Sequence, residues 1–222
     1  MSKFESAWTI GNFLLHQRLR GFQAPLVPEL GEATDFFRER LGESRCYLEF
    51  GSGGSTVAAD GLGRETISVE CDPYFARAVR KALRPDSPVQ LLVINIGLTR
   101  PWGFPVWTRP TPRRKEKWRR YSSAPFDIIK KRGIYPDFVL VDGRFRRACA
   151  LNAARTCAEM NGTTTIMFDD YYIDRRNHYH SVEEFLGAPR RIGRSAIFEI
   201  SRKNKIKPPS NDDIEEAIAD FR

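Results

Sequence analysis

The chain has 222 residues, 41% of them hydrophobic and 29% charged, with a formal net charge of +8. That balance fits one folded domain with a sizeable core and excludes a disordered chain. No apolar run approaches the length of a bilayer span and the N-terminus has no secretory apolar core, so a membrane partner is excluded and the cytoplasm is the expected compartment.

Strands alternate with helical patterns along the chain, the mark of a parallel sheet covered by helices on both faces. An amphipathic helix is expected around His16, to which no role is given. Residues 28–41 read as a helix with Pro28 near its start and Gly42 past its end. Cys46–Phe50 is a short apolar strand running into Gly-Ser-Gly-Gly-Ser-Thr, and a helix starts at Ser55 and stops at the Gly61–Gly63 breaker. Residues 66–70 form the second strand, 73–83 a helix, and 89–96 the third strand. A fourth strand over 138–141 leads into a helix over 146–160, and a fifth over 164–168 is followed by a helix near 181–186. Residues 195–201 form a last strand, paired with 189–192 through Gly193, and an acidic helix capped by Asn211 ends the chain. Cys46, Cys71, Cys149 and Cys157 show neither metal-ligand nor disulfide spacing and read as buried thiols.

The domain is thus expected to span 1–201, with 28–44 as its N-terminal helix, 98–135 as a basic aromatic insertion, and 202–222 as a tail. Residues 100–147 hold 14 Lys/Arg against 4 Asp/Glu, while the remainder is slightly acidic. A connection that long, rich in Pro, Trp and Arg, reads as a functional loop or lid. Its cations (Arg113, Arg114, Lys115, Lys117, Arg119, Arg120) and aromatics (Trp102, Trp107, Trp118, Tyr121) suit nucleic acid by phosphate contact and stacking. They equally suit a lid over an anionic small-molecule substrate, or a solvated surface with aromatics packed on the sheet. None of these readings fixes an oligomeric state.

The sharpest chemical signal is the loop after the first strand, Glu49-Phe-Gly51-Ser52-Gly53-Gly54-Ser-Thr56, which opens a helix. Glycines there allow a tight turn and close backbone approach to a ligand, and the helix start presents free N–H groups. Glu70 ends the next strand about 20 residues on, where an acid can accept both hydroxyls of a ribose. A dinucleotide fold wants a third glycine where Thr56 stands, and Glu49 is out of place beside a pyrophosphate; a carboxylate there suits a cationic ligand.

The order EFGSGGST, ISVECDP, VLVDGRFR, IMFDDYY resembles the class I S-adenosylmethionine-dependent methyltransferases, in the branch whose fourth strand ends in Asp-Gly and fifth in Asp-Asp. The likeness covers about residues 45–200. It implies a Rossmann-like three-layer α/β sandwich, with a mostly parallel seven-stranded sheet and an antiparallel strand near the C-terminus. By the same resemblance, Glu49 and the loop Gly51, Ser52, Gly53 and Gly54 hold the methionine and ribose side of S-adenosylmethionine. Glu70 holds the ribose, and Cys71 and Asp72 lie beside the adenine. Asn95 stands where the family often has Gly-Asp, and is the adenine contact expected from the third strand.

Asp142, Asp169 and Asp170 end the fourth and fifth strands, on the edge where ligands of an open α/β sheet bind. Three carboxylates there suit a divalent cation, Mg or Mn, or one of them, Asp142 or Asp170, serves as general base. Metal-dependent O-methyltransferases of this fold use similar positions, commonly with Asn where Asp170 stands. Pairing with Arg144, Arg146 or Arg147 would instead make the acids structural. The segment that follows, Tyr171 to His180, carries Asp174, Arg175 and Arg176 and two histidines, of which His178 is the candidate proton acceptor. These residues imply a methyltransferase acting on a small molecule; the rivals are a nucleic-acid-binding or interaction module and a nicotinamide oxidoreductase.

Overall fold

Short runs of residues make the strands of the parallel part of the sheet. In the computed structural model, which describes residues 21–173, 177–201 and 207–220 together with Gly11 and Leu15, they are β1 (Cys46–Phe50), β2 (Glu65–Glu70) and β3 (Val89–Val93), then β6 (Phe138–Val141) and β7 (Thr164–Phe168). β1, β6 and β7 are buried on both sides at the centre of the sheet, β2 is buried beyond its first residue, and β3 is half-buried at the edge. With β8 (Arg190–Ile192) and β9 (Ser195–Ile200) they form one seven-stranded sheet in the order β3-β2-β1-β6-β7-β9-β8. The first five are mutually parallel, and β9 runs antiparallel to both β7 and β8. Between β3 and β6, a two-stranded ribbon of β4 (Thr99–Arg100) and β5 (Phe104–Pro105) stands apart from the sheet. The helices are α1 (Thr34–Glu43), α2 (Gly54–Gly61), α3 (Pro73–Ala82), α4 (Pro112–Arg132), α5 (Arg146–Glu159), α6 (Glu183–Leu186) and α7 (Asn211–Ile218).

The two-residue period of the strands divides the core between the faces of the sheet. Leu48, Phe50, Val139, Val141, Ile166 and Phe168 pack with residues of α4 and α5. Tyr47, Phe138, Leu140 and Met167 pack with Phe37 and Leu41 of α1 and Ala59 of α2. The result is a three-layer sandwich, and its central strands are buried along nearly their whole length because helices cover both sides.

Three elements depart from the sequence expectation. The helix expected from residue 28 begins only after a 3-10 turn at Gly31–Ala33, because Gly31 takes a left-handed φ of +58°; residues 22–30 instead run across the edge of the sheet. Most of the basic insertion is not a loop, for 21 residues of it form α4, the crossover helix from β3 to β6. Trp118, Tyr121, Ser122, Pro125, Phe126 and Ile129 repeat at helical spacing and are buried, while the lysines and arginines take the outer face. Gly133 ends the helix in a left-handed conformation (φ +68°). In α7 the cap is Ser210 rather than Asn211: its hydroxyl accepts the Asp213 N–H while Asp213 accepts the Ser210 N–H.

All four cysteines are free and buried. Among the described residues no helix is long and apolar enough to cross a membrane. The helix expected around His16, the tail segment 202–206 and residues 174–176 lie outside the described residues.

Candidate functional site

The chain leaves β1 toward β2 and β3 on one side, then crosses through α4 to β6 on the other, so the sheet's switch point lies between β1 and β6. Beyond the carboxyl ends of such strands an open α/β sheet leaves its crevice. Here the two strands end in glycines that touch. Gly51 has a left-handed φ of +98°, and a Cβ on it would lie 2.9 Å from the Cα and N of Gly143. A Cβ on Gly143 would lie 2.1 Å from the Tyr121 hydroxyl. That hydroxyl rises from α4 and accepts the Arg144 N–H at 3.4 Å. Above this floor lies a cavity of about 840 Å³. Its rim is formed by residues 22–30 on one side and by the 101–104 turn between β4 and β5 on the other.

The glycine loop and the acid of the second strand meet in this cavity. Gly51, Ser52, Gly53, Gly54, Glu70, Cys71 and Asp72 all line it. Glu70 Oε1 accepts the N–H groups of Cys71 (2.6 Å) and Asp72 (2.9 Å), and Oε2 accepts that of Ser52 at 3.3 Å. Burial pushes the Glu70 carboxyl above its ordinary range, an effect the backbone N–H donors partly offset. Asp72 caps α3 by accepting the N–H groups of Tyr74 and Phe75. Gly54 needs its missing side chain for the protein itself, since a Cβ there would fall 1.9 Å from the Val27 carbonyl oxygen.

Two residues expected at the ligand lie elsewhere. Glu49 is fully buried behind the loop and does not line the cavity. The hydroxyls of Tyr47 (3.0 Å), Ser55 (2.5 Å) and Thr56 (2.5 Å) donate to its carboxylate. Burial raises its pKa, partly offset by those hydroxyls. Glu49 thus fixes the turn, and Thr56, whose Oγ accepts the Gly53 N–H at 2.8 Å, links it to the glycines. Asn95 is exposed outside the cavity, where its side-chain oxygen accepts the Gly97 N–H.

Asp142, Asp169 and Asp170 converge on the same cavity, with carboxylate oxygens within 4.8 Å of one another. Two arginines lie among them, and Arg144 is neither. Arg146 is buried at the start of α5 and reaches Asp142 (2.9 Å) and Asp170 (3.3 Å), and donates to the backbone oxygens of Asp142, Gly143 and Asp169. Arg194, from the β8–β9 turn, reaches Asp169 (2.7 Å) and Asp170 (3.1 Å), and its Nη2 also donates to the Glu29 carbonyl. The Ser195 hydroxyl takes the remaining approach to Asp169 at 2.6 Å. Three carboxylates against two guanidiniums leave one formal negative charge. A hard dication needs these same oxygens as ligands, so the donor set does not fit Mg or Mn. Burial pushes the Asp142 carboxyl up to about 6, with Arg146 opposing the shift and Asp169 and Asp170 adding to it.

His178 and His180 are not brought to the cavity. His178 Nε2 lies 3.0 Å from the Asp220 carboxylate beside α7, and His180 Nδ1 lies 2.7 Å from Glu183. Tyr171 packs against Phe168, Tyr179 and Phe198 in the core. Of the aromatics in the basic insertion, Trp118 and Tyr121 are core residues, whereas Trp102 is 86% exposed at the cavity rim. Of the four non-glycine residues in the left-handed region among the described residues, Trp102 (φ +63°), Phe145 (φ +53°) and Asp170 (φ +56°) lie in or beside the site, and Asn161 (φ +54°) follows the end of α5. Such strain collects where surrounding structure holds a functional arrangement.

No protein-family model and no curated protein matches the sequence. Among solved structures, a methyltransferase-like protein from Silicibacter pomeroyi DSS-3 is 33% identical, with a TM-score of 0.71 over 90% of this chain and 99% of its own. A hypothetical protein of Thermus thermophilus is 18% identical over 80% of this chain and 92% of its own (TM-score 0.42). A predicted O-methyltransferase of Agrobacterium tumefaciens is 11% identical over 83% and 97% (TM-score 0.36).

Proposed function

The chain belongs to the methyltransferase-like family of the Silicibacter pomeroyi protein, and we propose that it is an S-adenosylmethionine-dependent methyltransferase acting on a small molecule. The observation that carries this reading is the meeting of the glycine loop and Glu70 in one cavity at the switch point of the sheet. Glu70 is positioned to accept the hydroxyls of a ribose, with Ser52, Cys71 and Asp72 holding its carboxylate in place. When bound, S-adenosylmethionine supplies an activated methyl group. The protein's own work is then to orient the acceptor, exclude water and remove a proton.

Asp142 is the group for the last task. It lines the cavity, and its carboxyl is pushed up to about 6 because burial and two neighbouring carboxylates oppose its ionisation. Such a base accepts a proton from a hydroxyl or ammonium acceptor more readily than an ordinary aspartate, yet is still ionised at pH 7. Arg146 holds Asp142 and Asp170 in register through paired contacts with both.

Isothermal calorimetry with S-adenosylhomocysteine and with NADH tests the reading. Binding of the former in the micromolar range and none of the latter is expected. Tight NADH binding with no response to S-adenosylhomocysteine refutes it.

A further inference from the structure

The cavity holds a buried cation for which the described residues supply no carboxylate partner. Arg144 follows Gly143 beyond β6, is 5% exposed and lines the cavity. Among the described residues its Nε and Nη1 have no hydrogen-bond partner. The nearby carboxylates Asp142, Asp169 and Asp170 are taken by Arg146 and Arg194. What Arg144 does have is an aromatic ring: its guanidinium carbon stands 4.1 Å from the centroid of Phe104. Burial, together with the like charge of Arg146, pushes its pKa below the ordinary arginine value. A desolvated charge without a hydrogen-bonding partner is costly, and stacking on a ring recovers only part of that cost. A guanidinium fork of this kind matches the paired oxygens of a carboxylate or phosphate.

Its position says which ligand would carry those oxygens. Arg144 lies two residues from Asp142, on the proton-accepting side of the cavity. The 101–104 turn covers it: a Cβ on Gly103 would stand 3.7 Å from Arg144 Cγ and 2.8 Å from Cys71 Sγ. That turn also brings Trp102 and Phe104 to the cavity, two aromatic surfaces for a small planar molecule.

We propose that Arg144 recognises an oxyanion, a carboxylate or a phosphate ester, on the methyl acceptor; the inference rests on the methyltransferase reading and narrows its substrate class. Anion recognition then belongs to one buried arginine inside the cavity and not to the lysines and arginines on the outer face of α4.

The test titrates benzoate and inorganic phosphate into the protein, free and loaded with S-adenosylhomocysteine, followed by NMR. The same titrations are made on Arg144→Met, which keeps the stem and removes the charge, and on Arg144→Lys, which keeps the charge and loses the fork. The wild type is expected to bind at least one oxyanion, benzoate if the acceptor is a carboxylate and phosphate if it is a phosphate ester. Arg144→Met should lose about tenfold or more of that affinity, with Arg144→Lys in between. Binding of S-adenosylhomocysteine and of 5′-methylthioadenosine, which lacks the amino-acid part, should match the wild type in both variants.

Equal oxyanion affinity in the wild type and Arg144→Met overturns the proposal, as does a wild type that binds neither probe. So does a variant that loses S-adenosylhomocysteine but keeps 5′-methylthioadenosine, because the guanidinium would then serve the cofactor's own carboxylate. If the wild type binds neither nucleoside, the methyltransferase reading falls, while the oxyanion titration of the free protein still decides the role of Arg144.

Discussion

Glu70→Ala removes a carboxylate with one structural duty and one proposed for the ligand, and the two separate in measurement. Toward the ligand, the proposed function makes the carboxylate the charged acceptor for ribose hydroxyls. A hydrogen bond to a charged group contributes about 1.5–3 kcal/mol, so S-adenosylhomocysteine should bind roughly 10- to 150-fold more weakly. Toward the protein, the carboxylate satisfies the N–H groups of Ser52, Cys71 and Asp72. Leaving them unsatisfied costs about 1–3 kcal/mol of stability, which for a domain of this size lowers the thermal midpoint by roughly 2–12 °C. Glu70→Gln divides the duties. Its carbonyl oxygen can keep the short bonds from Cys71 and Asp72 if its NH₂ faces Ser52, where the contact is the longest of the three. It should therefore recover most of the stability and little of the affinity. Calorimetry with S-adenosylhomocysteine and a thermal melt on each variant supply both readouts. If Glu70→Ala binds within twofold of the wild type while its melt falls, Glu70 only ties the loop together and the ribose assignment is wrong.

Asp142 must be ionised to accept a proton, so kcat/KM should rise with pH through an apparent pKa of about 6, and Asp142→Asn should abolish that limb with a loss on the order of 10²–10⁴-fold. Arg146→Met removes the cation that opposes the upward shift, so the limb should move to higher pH and stability should fall by about 3–5 kcal/mol, as for one partner of a buried pair; an unmoved limb refutes the assignment of Asp142 as the base. Because Arg146 and Arg194 already occupy the carboxylate oxygens, activity should be unchanged by excess EDTA, and loss of activity restored by Mg or Mn would overturn that conclusion. Trp118→Ala should cost about 3–5 kcal/mol, a fall of roughly 6–20 °C in the thermal midpoint. Trp118 is fully buried, donates to the Ile96 carbonyl and packs on Phe145; a change within about 2 °C would mean that α4 is not part of the core.

What the sequence made legible was local. β1, β2, β6 and β7 each end at or just before a glycine or an acid, and such buried runs carry their own boundaries. The topology that gathers their carboxyl ends follows from parallel pairing, so Gly51, Glu70, Asp142 and Asp170 could be brought to one edge without coordinates. What stayed hidden depends on partners distant in the chain. The inward turn of Glu49 is decided by the hydroxyls of Tyr47, Ser55 and Thr56, of which a glycine-loop motif says nothing. His178 is taken up by Asp220, far along the chain, and Asp169 by Arg194 across the β8–β9 turn. The crossover helix is the instructive case. Its stripe at 118, 121, 122, 125, 126 and 129 is helical, but Pro112, Pro125 and the cationic outer face suggested a loop. Pro112 is in fact tolerated at the first helical position, where the missing N–H has no intrahelical partner to lose.

The arginines also explain why the acids at this sheet edge need no metal. Carboxylates brought within 4.8 Å of one another repel more strongly as water leaves, and the fold needs a counter-charge that arrives with the chain. Arg146 sits four residues after Asp142 on the first turn of α5, so the same β6–α5 connection that aims Asp142 into the cavity carries its counter-ion. Arg194 enters from the antiparallel side of the sheet and also grips the Glu29 carbonyl, fastening the cavity's N-terminal rim to Asp169. Two arginines make ion pairs with the three acids, and Arg144 adds its positive charge near Asp142 without an ion pair among the described residues. Asp169 is hydrogen-bonded by Arg194 and Ser195 and Asp170 touches both arginines, whereas Asp142 is contacted as an ion pair by Arg146 alone among the described residues. Burial, with Asp169 and Asp170 adding to it, pushes its carboxyl up to about 6, and that shift at the cavity wall supports the proposal that Asp142 accepts the proton.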